Sequence, residues 1–277
     1  MKTNVRANVI LQHFMSSELW RAYWHRAAVV VTGSSARGTG DEFSDTDILA
    51  LVPSESYKAL YDSHRHAAQC DLIAVMNPDA FQYREFPLIL VPGLKGHYKV
   101  HTFDEVECLI SRYEDVTMWI HRDSLILHDP TGRYHEIQKS ASSYPDSVWR
   151  DRVRTHYLAA WMGASAAGNP LRRRDRAAVV LTLADCFTQV LRLCCLLEGL
   201  PFPYEKWLYR EALRTNVGRA LEPLLREFLE ELLRPEIRRV PPESYERPKH
   251  RNVDLEDYPL FRIWRRIKGV LDSRLPT

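Results

Sequence analysis

Two domains of different class are predicted: an α/β (α+β) domain over residues 1–143 and an all-α helical bundle over residues 144–277. Three observations predict them. As far as residue 140, short apolar strand-like runs alternate with stretches of helical spacing. After that, every periodic stretch has helical spacing alone. Between them, residues 140–145 turn small and polar, which marks the boundary. The 277 residues and the 45% apolar share suffice for two packed cores and exclude disordered, collagen and coiled-coil classes.

The elements follow in chain order. Residues 11–25 place apolar and aromatic side chains at helical spacing. Residues 27–31 form a continuous apolar strand ending at Thr32-Gly33, and residues 46–52 form a second, closed by Pro53. A helix over 54–66 leads to a third strand over 69–76, stopped by Asn77-Pro78. Residues 98–103 read as another strand, running into a helix opened by Asp104 and reaching Trp119. His128-Asp129-Pro130-Thr131-Gly132 is a turn. In the second domain, a helix over 147–167 is closed by Gly168-Asn169-Pro170, and a long one over 174–198 by Gly199 and Pro201. Helices over 221–233 and 258–271 follow, joined by a Pro-rich stretch over 235–248.

Charge and cysteine usage narrow the setting. Net charge is +2, which argues against a dedicated duplex-DNA binder. Residues 1–140 hold 14 basic and 18 acidic groups, residues 141–277 hold 24 and 18. The back half is therefore basic. Five scattered cysteines without a CxxC pair read as reduced core thiols, and the N-terminus lacks the order of a signal peptide, so a cytoplasmic location is expected. Residues 177–197 are nearly long enough to span a membrane, but Asp185, Gln189 and Arg192 in their middle favour a buried helix. No membrane partner is expected.

The chemistry sits in Gly33-Ser34-Ser35-Ala36-Arg37-Gly38-Thr39-Gly40-Asp41-Glu42-Phe43-Ser44-Asp45-Thr46-Asp47. A strand enters a glycine-rich turn whose amides can approach an anion, Ser34 adds a hydroxyl and Arg37 a phosphate clamp. Residues i and i+2 of a strand share a face, so Asp45 and Asp47 can hold a hard divalent cation together. A phosphate cradle beside paired carboxylates is the minimum for metal-assisted phosphoryl or nucleotidyl transfer. No Walker loop is present, and the loop leads to a carboxylate-bearing strand, unlike a dinucleotide fingerprint.

Gly33-Ser34 followed by Asp45-Thr46-Asp47 resembles the signature of the DNA polymerase β superfamily of nucleotidyltransferases. Weaker likenesses at residues 125–132, at Arg174-Asp175 and at residues 203–208 look like antibiotic-modifying members, of the kanamycin and lincosamide type, with a helical C-terminal domain. The resemblance implies a small mixed sheet and an enzyme that uses ATP or another nucleoside triphosphate with Mg²⁺, two ions in all. Gly33, Ser34, Arg37, Ser44 and Lys206 would bind the nucleotide, and Asp45, Asp47 and a third carboxylate the metal. That third group is Asp71, if residues 69–76 form the next strand. If residues 98–103 do, His101 takes the position, and histidine is a poor Mg²⁺ ligand.

Secondary candidates have plainer alternatives. Asp175, Ala178, Thr182, Asp185, Gln189 and Arg192 form a polar stripe on the long helix, either a solvated face or the wall of a cleft. Lys206 lies between Tyr204 and Trp207, where its stem can equally cover apolar surface. Arg172-Arg173-Arg174 precede a helix, and Arg262, Arg265, Arg266 and Lys268 crowd the C-terminus, which leaves room for an RNA partner. His64 and His66 read as surface residues. The functional expectation is adenylyl transfer to a hydroxyl of a small molecule such as an antibiotic. Transfer to RNA or protein, and a degenerate nucleotide-binding protein, are the alternatives.

Overall fold

The computed structural model describes residues 9, 11–12, 14–16, 18–40, 44, 46–67, 85–87, 96–233 and 259–276. The chain forms two compact units, Met1–Ser142 and Ser143–Thr277.

In the first unit, α1 (Glu18–Arg21) and a 3₁₀ turn (Trp24–Arg26) lead to β1 (Ala28–Thr32), and a short helix α2 (Gly33–Arg37) follows at once. Then come β2 (Thr46–Val52), α3 (Ser54–Ala67), β3 (Glu85–Pro87), β4 (Gly96–Thr102), α4 (Phe103–Ser111), α5 (Asp115–Arg122), β5 (Leu125–His128) and α6 (Arg133–Ser140). The mixed sheet has the order β3-β4-β2-β1-β5. β1 runs antiparallel to β2 and β5, while β2 and β4 are parallel.

β1 is a β-branched run, Val29-Val30-Val31, which suits a strand buried on both faces. Val29, Val31, Ile48, Ala50, Val52 and Val100 share one face and pack with Phe14, Trp20 and Leu60. The alternate residues Val30, Leu49 and Leu51 are buried on the other. Strands expected over 27–31, 46–52 and 98–103 are present within two residues of those bounds. The strand expected over 69–76 lies outside the described residues, as does the stretch 235–248.

One expectation in this unit needs correction. The helix expected from Asp104 to Trp119 is two helices. Thr102 caps the first, accepting the Glu105 N–H at 3.0 Å, and Tyr113 with φ 56° breaks the run. Glu114 then caps α5 by accepting the Thr117 N–H at 2.6 Å. β5 and α6 carry no expectation of their own, because four residues of Leu125–His128 are too few to show a period.

The second unit is helical: α7 (Asp146–Ala166), α8 (Gly168–Arg172), α9 (Arg176–Leu196), α10 (Glu205–Ala212), α11 (Asn216–Leu233) and α12 (Pro259–Asp272). α7 ends at Ala166, within a residue of the expected close, and Gly168-Asn169-Pro170 opens the short α8, since proline is tolerated in a first turn whose N–H groups are unpaired anyway. α9 is the centre of this core, packed on α7, α10 and α11. It is long and apolar enough to cross a membrane, yet 61% of its most apolar window is buried in the protein. Asp175 caps it by accepting the Ala178 N–H at 3.0 Å, and Gly199 ends it at φ 71°. α11 starts earlier than residue 221 because Thr215 Oγ1 accepts the Gly218 N–H and the Glu198 carboxylate accepts from the Asn216 and Val217 amides.

Candidate functional site

The β1–α2 junction and the start of β2 bring together the part of the signature the structure describes. In the antiparallel register Thr32 faces Asp47. Gly33 turns the chain with φ 66°, and a Cβ added there would lie 2.5 Å from Asp47 Oδ2. Only glycine lets the backbone come this close to the carboxylate. Ser34 is buried, and its carbonyl accepts from the Gly38 and Thr39 N–H groups, which closes the turn. A Cβ added at Gly40 would stand 3.6 Å from Ser34 Oγ and 3.7 Å from Ser44 Oγ, ordinary contact distances, so both hydroxyls lie near this point of the backbone. Gly33, Ser34, Ser44 and Asp47 are thus near neighbours.

Asp45 and Asp71 lie outside the described residues. Among the described residues no three His, Cys, Asp or Glu side chains converge as a metal site. The oxygen donor of Asp47, packed on bare backbone, is the hard ligand type that Mg²⁺ takes.

The sheet register bears on the third position. β4 pairs with β2 on the side away from β1, and it sets His97 abreast of Asp47 and His101 abreast of Leu51. His101 is therefore four residues, about 13 Å, along the sheet from the point abreast of Asp47. Its ring Nδ1 lies 3.4 Å from Glu105 Oε2. The register therefore puts His97, and not His101, abreast of Asp47.

Arg37, expected as a phosphate clamp, is held by partners at the C-terminal end of α5. Its side chain is 6% exposed. Nη2 donates to the Trp119 carbonyl at 2.7 Å, Nε donates to Asp123 Oδ2 at 3.3 Å, and the guanidinium stacks on the Trp119 ring at 3.4 Å. Trp119 is in the last turn of α5, whose terminal carbonyls have no intrahelical donor, so Arg37 caps that helix from a distance in sequence. Asp123 also accepts two bonds from Arg122, at 3.0 and 2.6 Å. Burial alone would raise its carboxyl, but Arg122 and Arg37 together hold it below the usual carboxylate range.

Beside it lies a buried polar chain. His121 Nδ1 is 2.8 Å from the Tyr134 hydroxyl, which meets Ser124 Oγ at 2.8 Å, and Gln138 donates to the Ser124 carbonyl at 2.7 Å. Burial lowers His121 to about 3, so it is neutral, and raises the Tyr134 hydroxyl. This chain ties the end of α5 and Ser124, just before β5, to α6.

The other candidates belong to the helical unit. Lys206 lies in the first turn of α10, with its ammonium 5.5 and 5.4 Å from the Tyr204 and Trp207 ring centroids, a cation–π setting. The stripe on α9 is not simply solvated. Gln189 is buried, donates to Asp185 at 3.1 Å and meets His156 Nδ1 at 2.7 Å, while Arg192 pairs with Glu205 at 2.8 Å. Arg173 and Arg174 are exposed, the latter with φ 58°. Arg266 and Lys268 pair with Glu227 and Asp272. Cys186, Cys194 and Cys195 are buried free thiols, and burial pushes the Cys186 and Cys194 thiols up to about 12. The side chains of His64 and His66 lie outside the described residues.

Residues 16–118 match the nucleotidyltransferase domain family, and residues 112–208 match a domain of unknown function, DUF4037. No curated protein matches the chain. Among solved structures, a nucleotidyltransferase-like protein from Exiguobacterium sibiricum 255-15 is 9% identical, with 95% of this chain and 73% of that one covered at a TM-score of 0.46. Residues 16–118 thus read as a nucleotidyltransferase domain, which supports a transferase and implies a nucleoside triphosphate substrate in general, and a helical region follows.

Proposed function

We propose that the chain is a Mg²⁺-dependent nucleotidyltransferase that moves a nucleoside monophosphate, AMP foremost, from a nucleoside triphosphate to a hydroxyl of a small molecule, releasing pyrophosphate. The observation that carries this reading is the close approach of Gly33 to the Asp47 carboxylate, within a segment that matches the nucleotidyltransferase domain. Ser34 and Ser44, drawn together around Gly40, offer hydroxyl donors to the outer phosphates. Gly33 lets the backbone stand beside both phosphate and carboxylate. Asp45 and Asp47 would hold Mg²⁺, with Asp71 as third oxygen ligand and two ions in all. When bound, the metal shields phosphate charge and steadies the attacking and leaving oxygens. The acceptor hydroxyl would give its proton to a carboxylate of the site, for which Asp71 is the candidate, and attack the α-phosphorus in line, while the bond to the α–β bridging oxygen breaks and pyrophosphate leaves.

The excess of basic groups in residues 141–277 favours a neutral or anionic acceptor, such as a lincosamide-like sugar, over a polycationic aminoglycoside. Buried, protonated thiols suit a reducing cytoplasm. The test is transfer of label from each α-³²P nucleoside triphosphate, with Mg²⁺ and a cell extract, followed by separation into small-molecule, RNA and protein fractions. Transfer into the small-molecule fraction, abolished by EDTA and by Asp45→Asn, is the expected result. Label in RNA or protein would replace the acceptor class. Transfer that survives both EDTA and Asp47→Asn would overturn the mechanism.

A further inference from the structure

Arg37 stands three residues after Ser34, on one turn of helix, and the whole turn is held at two ends. At its start, Gly33 lies against Asp47. At its end, the Arg37 guanidinium is stacked on Trp119, bonded to the Trp119 carbonyl and bonded to Asp123. Its side chain is nearly all buried in these contacts. A residue meant to meet a triphosphate keeps its donors toward the ligand. Here the planar fork is spent on the C-terminal end of α5, which carries the negative end of the helix dipole. Asp123 is steadied in turn by Arg122.

We infer that Arg37 is a positioning residue: it latches α2 to the end of α5 and so fixes Ser34 and Gly33 relative to Asp47, without being a phosphate ligand. This rests on the nucleotide reading of the loop given above. It assigns Trp119 and Asp123, which touch no phosphate, to the set that determines nucleotide affinity. Loss of the latch lets α2 tilt on its glycine hinges at Gly33 and Gly38, both with φ 66°. The Ser34 hydroxyl then leaves its place while the rest of the sheet stays intact.

The two roles separate in the affinity of the full chain for MgATP and for Mg-tripolyphosphate, measured by calorimetry for wild type, Arg37→Lys, Arg37→Gln and Asp123→Asn. A latch needs the fork, the stacking and the carboxylate. All three variants are then expected to bind both probes more weakly, by about 10- to 100-fold. Arg37→Lys offers no rescue, and the double variant Arg37→Gln/Asp123→Asn is no weaker than the single ones. A phosphate clamp predicts the opposite pattern. Arg37→Lys would keep most of the affinity because it keeps the charge, and Asp123→Asn would bind as tightly as wild type or tighter because it frees the guanidinium. That pattern overturns the inference while leaving the nucleotide reading intact. Wild-type protein that binds neither probe overturns the nucleotide reading itself, and the inference with it. Circular dichroism of each variant identifies any that are unfolded. If Arg37→Gln is among them, the comparison of Arg37→Lys with Asp123→Asn still decides.

Discussion

Replacement of Gly33 by alanine tests the close approach on which the candidate site is built. Two costs follow from the structure. At φ 66° an L-residue is strained, by roughly 1–2 kcal/mol. The new Cβ would stand 2.5 Å from Asp47 Oδ2, whereas ordinary contact begins at 3.4 Å, so the carboxylate must yield by about 0.9 Å. Displacement on the order of 1 Å at a reacting centre costs about 100-fold in rate. The strain itself lowers the melting temperature by roughly 2–8 °C, with the protein still folded at 25 °C. The assay is label transfer from the preferred α-³²P nucleotide at saturating Mg²⁺, beside a thermal melt. A variant that melts within this range and has lost about 100-fold in transfer fits the reasoning. Transfer within about threefold of wild type would refute it, because Asp47 would then tolerate the shift or stand outside the chemistry.

Two further outcomes concern stability. His121 is held neutral with a pKa of about 3 against an ordinary 6.5. The unfolded chain therefore takes up this proton first, and stability is complete above about pH 6.5 and falls as pH drops toward 3, by at most about 1.4 kcal/mol per pH unit. Urea midpoints across pH 4–7 should show this slope, and His121→Gln should flatten it; equal slopes in both proteins would rule His121 out. Gly218 lies where a Cβ would come 1.8 Å from the Ala212 carbonyl oxygen, so Gly218→Ala has to push backbone apart in the helical unit. A loss of about 3 kcal/mol in chemical denaturation is expected, and a change under about 0.5 kcal/mol would show that the α10–α11 turn can move freely.

Much of the fold was legible. The strand at Thr46–Val52 was bounded correctly because Pro53 ends it and an apolar run fills it. α9 was legible from its Asp175 opening and its Gly199 close, both local signals. The early start of α11 had a signal that went unused, the Thr215 hydroxyl three residues before Gly218. The break at Tyr113 had none, since an aromatic residue in the left-handed region is decided by its surroundings and not by its own preference.

By itself the sequence determined the chemistry-bearing pattern, Gly33-Ser34 and Asp45-Thr46-Asp47, because a glycine turn and an alternating strand are local properties. It also determined that the described elements after residue 145 are helices, because helical period is local too. The tertiary structure decided which groups meet. Sheet register set His97 and not His101 abreast of Asp47, and a shift of register costs nothing that a single strand's sequence can reveal. Arg37 reads locally as a loose cation in a phosphate loop. Its partners Trp119 and Asp123 lie 82 and 86 residues away, and only the packing of α5 beside the β1–α2 turn brings the end of that helix to its guanidinium.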